Sequence, residues 1–186
     1  MQLNKFEMYE IKNAARLLAG VYTELAVSLA DLLECEVQVA SKHADCPSTL
    51  KGMRQCVQVD KVLPVSSEGC SDTMYGTLGN ISFRAMHDLA HVLYGRTVSA
   101  KDEKALSVTV WQLLVRPLLK QRCSGRVLDV CKAFYFTDTM GQTLVYEQFG
   151  MFVGNQVEFL AGMLVDQYFM SMEFVMPDYS VLYEAL

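Results

Sequence analysis

The residues of this chain best suited to chemistry lie in Arg84-Ala-Met-His87-Asp88-Leu-Ala-His91. Two histidines four apart project from one face of a helix, one turn above the other. At that spacing two imidazoles can hold a single divalent metal. Three histidines exist in the whole chain, and two of them sit in this turn. Asp88 is rotated about 100° from His87, which suits a residue that orients a ligand or serves another metal. Arg84 shares the face of His87, where a cation suits an anionic substrate or neutralises a carboxylate ligand. The competing reading is an ordinary solvated histidine pair or a buried polar network that supports the fold.

Two histidines do not complete a site, because a divalent ion takes three or four protein ligands. Glu103 and Asp138 are the candidates for the remainder. Glu103 falls in the first turn of the next helix, and the short connection predicts a hairpin that brings it towards His91. Asp138 and Gln142 are again four apart and face the same way, with Gly141 between them. Gln142 would orient a ligand or a bound water, and if buried it needs a hydrogen-bond partner. As bland alternatives, Glu103 would be a helix-dipole partner and Asp138 a cap. Mixed nitrogen and oxygen donors on helices suit Zn, Fe, Mn or Ni. With one position open, metal-bound water can lose a proton near neutral pH and hydrolyse a substrate.

Helices must position these groups. Ile11, Ala14, Leu18, Val21, Leu25 and Leu32 recur at helical spacing and predict an amphipathic helix over residues 4–34, within an N-terminal unit of 1–40. Gly20 inside it would mark a close helix contact. Residues 41–80 are rich in Ser, Gly, Asp and Thr and read as loop or arm. Within them Gln55 to Val65 alternates weakly, as a short strand ended by Pro64 would. The stretch is long enough for a lid or a contact in a homo-oligomer. A helical core follows over 81–175. Ser82 would cap its first helix, closed by Gly95. Ser99 and Asp102 form a capping-box pattern for the second, which contains Pro117. A third spans about 127–149 and a fourth about 153–172, with a tail at 176–186. The sum is a mostly α, single-domain helical bundle of about five helices with a long irregular segment near 41–80.

Composition narrows the function classes. With 186 residues and 52% apolar residues, the chain can bury a core without disulfides or metal. A net charge of −5 argues against a general nucleic-acid binder. No apolar run reaches the roughly 18 residues of a membrane span. The first residues lack the pattern of a secretory signal. Cys35, Cys46, Cys56, Cys70, Cys123 and Cys131 form no CxxC pair, which predicts reduced thiols in the cytoplasm. Cys46 and Cys70, in polar stretches, are the ones expected to be exposed. Glycine-rich phosphate loops, nucleophile elbows and dinucleotide fingerprints are absent. The aromatic residues from Phe134 to Phe152 and the methionines Met163, Met170, Met172 and Met176 read as core before pocket or partner surface.

Phe83-Arg84-Ala-Met-His87-Asp88-Leu-Ala-His91, then Gly95, Ser99 and Glu103, then Asp138-Thr-Met-Gly141-Gln142, resembles a family of small proteins found largely in bacteriophage genomes. Its members run F-R-A-x-H-D-x-x-H, a glycine, a Phe-Ser pair, a glutamate, and then an acidic residue, two variable residues and Gly-Gln. The resemblance covers residues 82–160. Val98 stands where Phe is usual, and Asp138 replaces Glu, one methylene shorter. The resemblance implies a phage context, the cytoplasm of an infected bacterium, and a shared site. The expected function is a metal-dependent hydrolase acting on an anionic small molecule during infection. The alternative is a non-enzymatic phage protein that binds and inhibits a host protein. His87-Asp88-Leu-Ala-His91 is also similar to the His-Asp pair of HD-domain phosphohydrolases, which would require His43 upstream and Asp129 or Asp138 downstream.

Overall fold

A computed structural model describes residues 7–70, 73–123, 125–150 and 155–165. The expected tail at 176–186, the last turns of the fourth helix, and the side chains of Met163, Met170, Met172 and Met176 lie outside the described residues. The architecture is mostly α, with one two-stranded parallel sheet among the described residues.

Helix α1 (Met8–Leu33) buries Ile11, Ala14, Ala15, Leu18, Val21, Tyr22, Ala26, Leu29 and Ala30 along one stripe. Lys12, Arg16, Glu24 and Asp31 remain exposed on the other side. Leu32, expected on the apolar stripe, is 65% exposed. The stripe passes through Leu29 and Ala30 instead, because 3.6 residues per turn drifts off a simple four-residue count. Gly20 is exposed with no atom near its missing Cβ. The close helix contact lies at Gly79, where an added Cβ would stand 2.8 Å from the Cβ atoms of both Ala19 and Tyr75.

The segment expected to be irregular carries structure. Strand β1 (Glu36–Ala40) pairs in parallel with β2 (Val62–Ser66), from Glu36 opposite Val62 to Ala40 opposite Ser66. Parallel strands need a crossover. Residues 41–61 supply it, with helix α2 (Leu50–Arg54) running into a π-helical turn over Gln55–Asp60. Pro64 lies inside β2 rather than ending it. Both strands are edges, so a residue without an N–H is tolerated there. Leu63 and Val65 face the core. Arg84 secures this unit to the next helix by donating from Nη1 to the carbonyls of Ser66 (2.8 Å) and Glu68 (2.9 Å).

Helix α3 (Gly76–Tyr94) begins six residues before the expected cap at Ser82. The Ser82 hydroxyl instead accepts a bond from Thr23 of α1 at 2.9 Å. Gly95 ends α3 as expected, at φ 64°, a left-handed conformation that favours glycine. Helix α4 (Ala100–Lys120) follows after a short turn. Ser99 caps it by accepting from the Asp102 N–H, but the Asp102 carboxylate reaches Thr97 rather than closing a capping box. The expected third helix is one helical run of α5 (Arg126–Phe136), a π-helical turn over Thr137–Gly141, and α6 (Gln142–Phe149). Helix α7 (Gln156–Val165) completes the described elements.

The core gathers Trp111, Tyr22, Tyr135, Phe134 and Phe136, each at most 2% exposed. The aromatic run read as core is therefore core over Phe134–Phe136, while Phe149 is exposed. All six cysteines are free thiols, as expected. Cys70, however, is buried, with its thiol against the Ser66 carbonyl at 3.6 Å. Among the described residues no helix is long and apolar enough to cross a membrane.

Candidate metal centre

The α3–α4 hairpin brings His87, His91 and Glu103 together. His87 Nε2 is 3.0 Å from Glu103 Oε2, His91 Nε2 is 3.2 Å from Glu103 Oε1, and the two Nε2 atoms are 3.1 Å apart. The imidazoles meet edge to face, at 87° with centroids 4.6 Å apart. His91 is buried at 1% exposure, whereas the side chains of His87 and Glu103 are 18% and 20% exposed. The group is therefore sealed on one side and open on the other.

Each residue arrives for a local reason. The left-handed Gly95 reverses the chain at the end of α3, and Arg96 N donates back to the His91 carbonyl at 3.1 Å. The Arg96 carbonyl then accepts from His91 Nδ1 at 2.9 Å. The turn from Gly95 to Ser99 opens α4, whose first turn carries Glu103. The Phe83 ring stacks beside His87, with centroids 5.8 Å apart, and screens one face of it.

Proton counting shows what this triangle lacks. A carbonyl only accepts, so His91 must carry its hydrogen on Nδ1. Neutral His91 then points an Nε2 lone pair at Glu103, which is also an acceptor. The Nε2 hydrogen of His87 can serve one of these neighbours but not both. Protonating His91 satisfies Glu103 but sets two N–H groups against each other at 3.1 Å. One cation between the two Nε2 atoms and the carboxylate would take lone pairs from all three residues. A tetrahedral ion with bonds of about 2.0–2.1 Å holds its ligand atoms about 3.3 Å apart, close to the 3.1 Å between the two Nε2 atoms. The group could therefore hold a metal ion.

Charge points the same way. Burial works to raise the Glu103 carboxyl, but hydrogen bonds and charge from both imidazoles outweigh it and bring it down to about 2. Burial works to lower His87, but the bond from Glu103, and its charge with those of Asp88 and Asp138, hold it above its usual value. Asp88 is half-buried on the next face of α3, and burial pushes its carboxyl up to about 6. The charges of Glu103, Asp88 and Asp138 all act on His87, and a cation placed beside it would feel the same field.

Asp138 does not join His87, His91 and Glu103. Its carboxylate, 3% exposed, accepts from the Tyr75 hydroxyl at 2.8 Å and the Gln142 amide at 2.7 Å. Burial raises its carboxyl despite these bonds. Both oxygens are therefore engaged, and Asp138 acts on His87 through charge alone. The physical reason is the shorter side chain in a π-helical turn that aims it at Tyr75. Gln142 has the partner its burial demands, and its own oxygen accepts from Gln156 at 3.4 Å. Arg84 holds the Ser66 and Glu68 carbonyls as a fixed charge one turn before His87. His43 and Asp129 are exposed and lie outside the three-residue group.

Sequence reasoning missed Tyr75, Tyr22 and the Arg96 carbonyl. Tyr75 stands at the end of a stretch read as loop, and its hydroxyl bridges Asp138 and the Tyr22 hydroxyl, the latter at 3.1 Å. A backbone carbonyl leaves no side-chain signal in a sequence. His87 Nδ1 is buried with no hydrogen-bond partner.

The class these observations define is a mostly helical domain with a two-histidine, one-glutamate group on a helical hairpin. Comparison with protein-family models, curated proteins and solved structures yields no match.

Proposed function

We propose that this chain is a metal-dependent enzyme of phage type, a hydrolase acting on an anionic substrate, with His87, His91 and Glu103 as the metal ligands. The observation that carries this reading is the convergence of both imidazole Nε2 atoms on the two Glu103 carboxylate oxygens, with contacts of 3.0–3.2 Å that no placement of protons satisfies together. A metal bound there would supply a Lewis acid and a water of lowered pKa.

The chain's own groups have defined tasks in this reading. The Arg96 carbonyl keeps the hydrogen of His91 on Nδ1, so Nε2 would be available to a bound ion. Glu103 reaches both imidazoles and carries the negative charge of the ligand set. Phe83 limits the ring of His87 to one orientation. The partly exposed side of His87 and Glu103 is where a substrate would approach. Arg84, anchored one turn earlier, adds fixed positive charge that favours an anionic group. Two nitrogens and one carboxylate with open positions fit Zn for hydrolysis, and also Fe, Mn or Ni.

A second reading is a non-enzymatic phage protein that inhibits a host factor. It is favoured by the fact that Glu103 alone reaches both imidazoles, as a structural ion pair would. The HD-type alternative has less support, since His43 and Asp129 stand apart from the group.

Elemental analysis of the untagged protein, followed by titration with Zn, Fe(II), Mn and Ni, separates these readings. Stoichiometric metal in the wild type and none in a folded His87→Ala/His91→Ala variant supports the metal centre. Failure to bind any of the four ions overturns it and leaves the host-binding reading.

A further inference from the structure

A single peptide unit joins the buried histidine to a carboxylate on the next helix. The Arg96 oxygen accepts from His91 Nδ1 at 2.9 Å, and the N–H of Thr97, in the same peptide plane, donates to Asp102 Oδ2 at 3.0 Å. We infer that Asp102 is a positioning residue for the metal centre, acting on His91 through the Arg96–Thr97 peptide. The inference rests on the metal-centre reading for its consequence, but the contacts exist without it.

The physics is that of a polarised amide. A carboxylate on the N–H side draws the proton forward and shifts electron density onto the carbonyl oxygen. The oxygen then takes a stronger bond from His91 Nδ1, and Nε2 becomes a better donor to an ion. A carboxylate bonded directly to the far nitrogen of a ligating histidine has this effect at many metal sites. Here the peptide stands between the two groups and carries the polarisation.

The turn is built to keep that peptide in place. Asp102 Oδ2 also accepts from the Thr97 hydroxyl at 2.5 Å, and Oδ1 lies 3.5 Å from Arg96 Nη1. The Thr97 hydroxyl meets the Ser99 hydroxyl at 3.1 Å, and Ser99 caps α4. Asp102 precedes Glu103 in that helix, so one helical turn supplies a ligand and steers another.

Two variants and two readouts test the inference. Asp102→Asn keeps an acceptor for Thr97 and removes the charge, and Asp102→Ala removes both. Histidine ring correlation spectra of the metal-free protein report the nitrogens of His91. Zinc affinity is measured by competition with a chromophoric chelator, and circular dichroism checks folding. The expected result is a displaced His91 nitrogen resonance in both variants and zinc affinity lowered about tenfold in Asp102→Asn, more in Asp102→Ala. Unchanged His91 nitrogens in folded Asp102→Asn overturn the inference, even where the wild type binds zinc. A wild type that binds no metal but whose His91 resonance responds to Asp102→Asn upholds the relay and overturns the metal function.

Discussion

His91 gives its Nδ1 hydrogen to the carbonyl of Arg96, five residues on, across 2.9 Å. That bond commits Nδ1 of the buried ring and leaves Nε2 turned to His87 and Glu103. His91→Ala leaves the Arg96 oxygen without its partner. In the presence of a chelator, losing this bond and the buried ring should cost about 1–3 kcal/mol. With zinc at about 1,000 times its Kd, the wild type should gain about 4 kcal/mol and His91→Ala nothing. Urea unfolding with and without zinc measures both, and an equal gain in the variant would remove His91 from the ligand set.

Tyr75 should matter more than Tyr22. The Tyr75 hydroxyl donates to Asp138 and lies 3.1 Å from that of Tyr22. Tyr75→Phe strips a donor from a buried carboxylate and leaves the Tyr22 hydroxyl alone in the core. The expected loss is about 2–4 kcal/mol, against about 1 kcal/mol for Tyr22→Phe, which spares the Asp138 bond. Equal losses from the two variants would mean that Asp138 does not depend on Tyr75.

Two helix glycines, Gly79 and Gly20, should respond in opposite directions. At Gly79 a methyl would meet Ala19 and Tyr75 at 2.8 Å, so Gly79→Ala should destabilise by about 1–3 kcal/mol despite its better helix propensity. Gly20 has open space around it, so Gly20→Ala should stabilise by about 0.5–1 kcal/mol. Thermal unfolding of both variants decides the matter, and a stabilised Gly79→Ala would show that α1 and α3 can move apart cheaply.

Acid should release the clamp between α1 and α5 only at low pH. Arg126 donates to both oxygens of Glu10, at 2.8 and 3.0 Å, and Glu10 also accepts from the Glu7 N–H. These bonds hold its carboxyl near 2, below the ordinary 4.5. A carboxyl lowered on folding contributes stability that is present above pH 4.5 and lost as pH falls through about 2. Arg126 is 43% exposed, so the contribution is about 0.5–1 kcal/mol. Glu10→Gln should therefore be less stable than wild type by that amount at pH 7 and equal to it below pH 2. A difference that does not vary with pH would rule out the charge of Glu10 as its source.

Local order carried the sequence reading a long way. The period of α1, the glycine that ends α3, the Ser99 cap and the histidine pair all depend on neighbours within a few residues, and each lies where local pattern places it. Glu103 was also legible, because a short turn between two helices leaves little freedom in what their facing ends can touch. The strand pair was not legible. Glu36 to Ala40 acquires its partner from a segment 26 residues away, and pairing at that distance leaves no periodic trace in a five-residue strand.

What the sequence determined alone was a helical chain with two imidazoles on one face and an acidic residue within reach. Tertiary structure decided which acid reaches them. Asp138 and Glu103 are both acids at helical positions, but the core turns Asp138 towards Tyr75 and Gln142, while the hairpin turns Glu103 towards the histidines. Composition cannot rank them, because the choice rests on where packing sets each backbone to within an ångström or so, and a carboxylate bonds only what lies inside that distance.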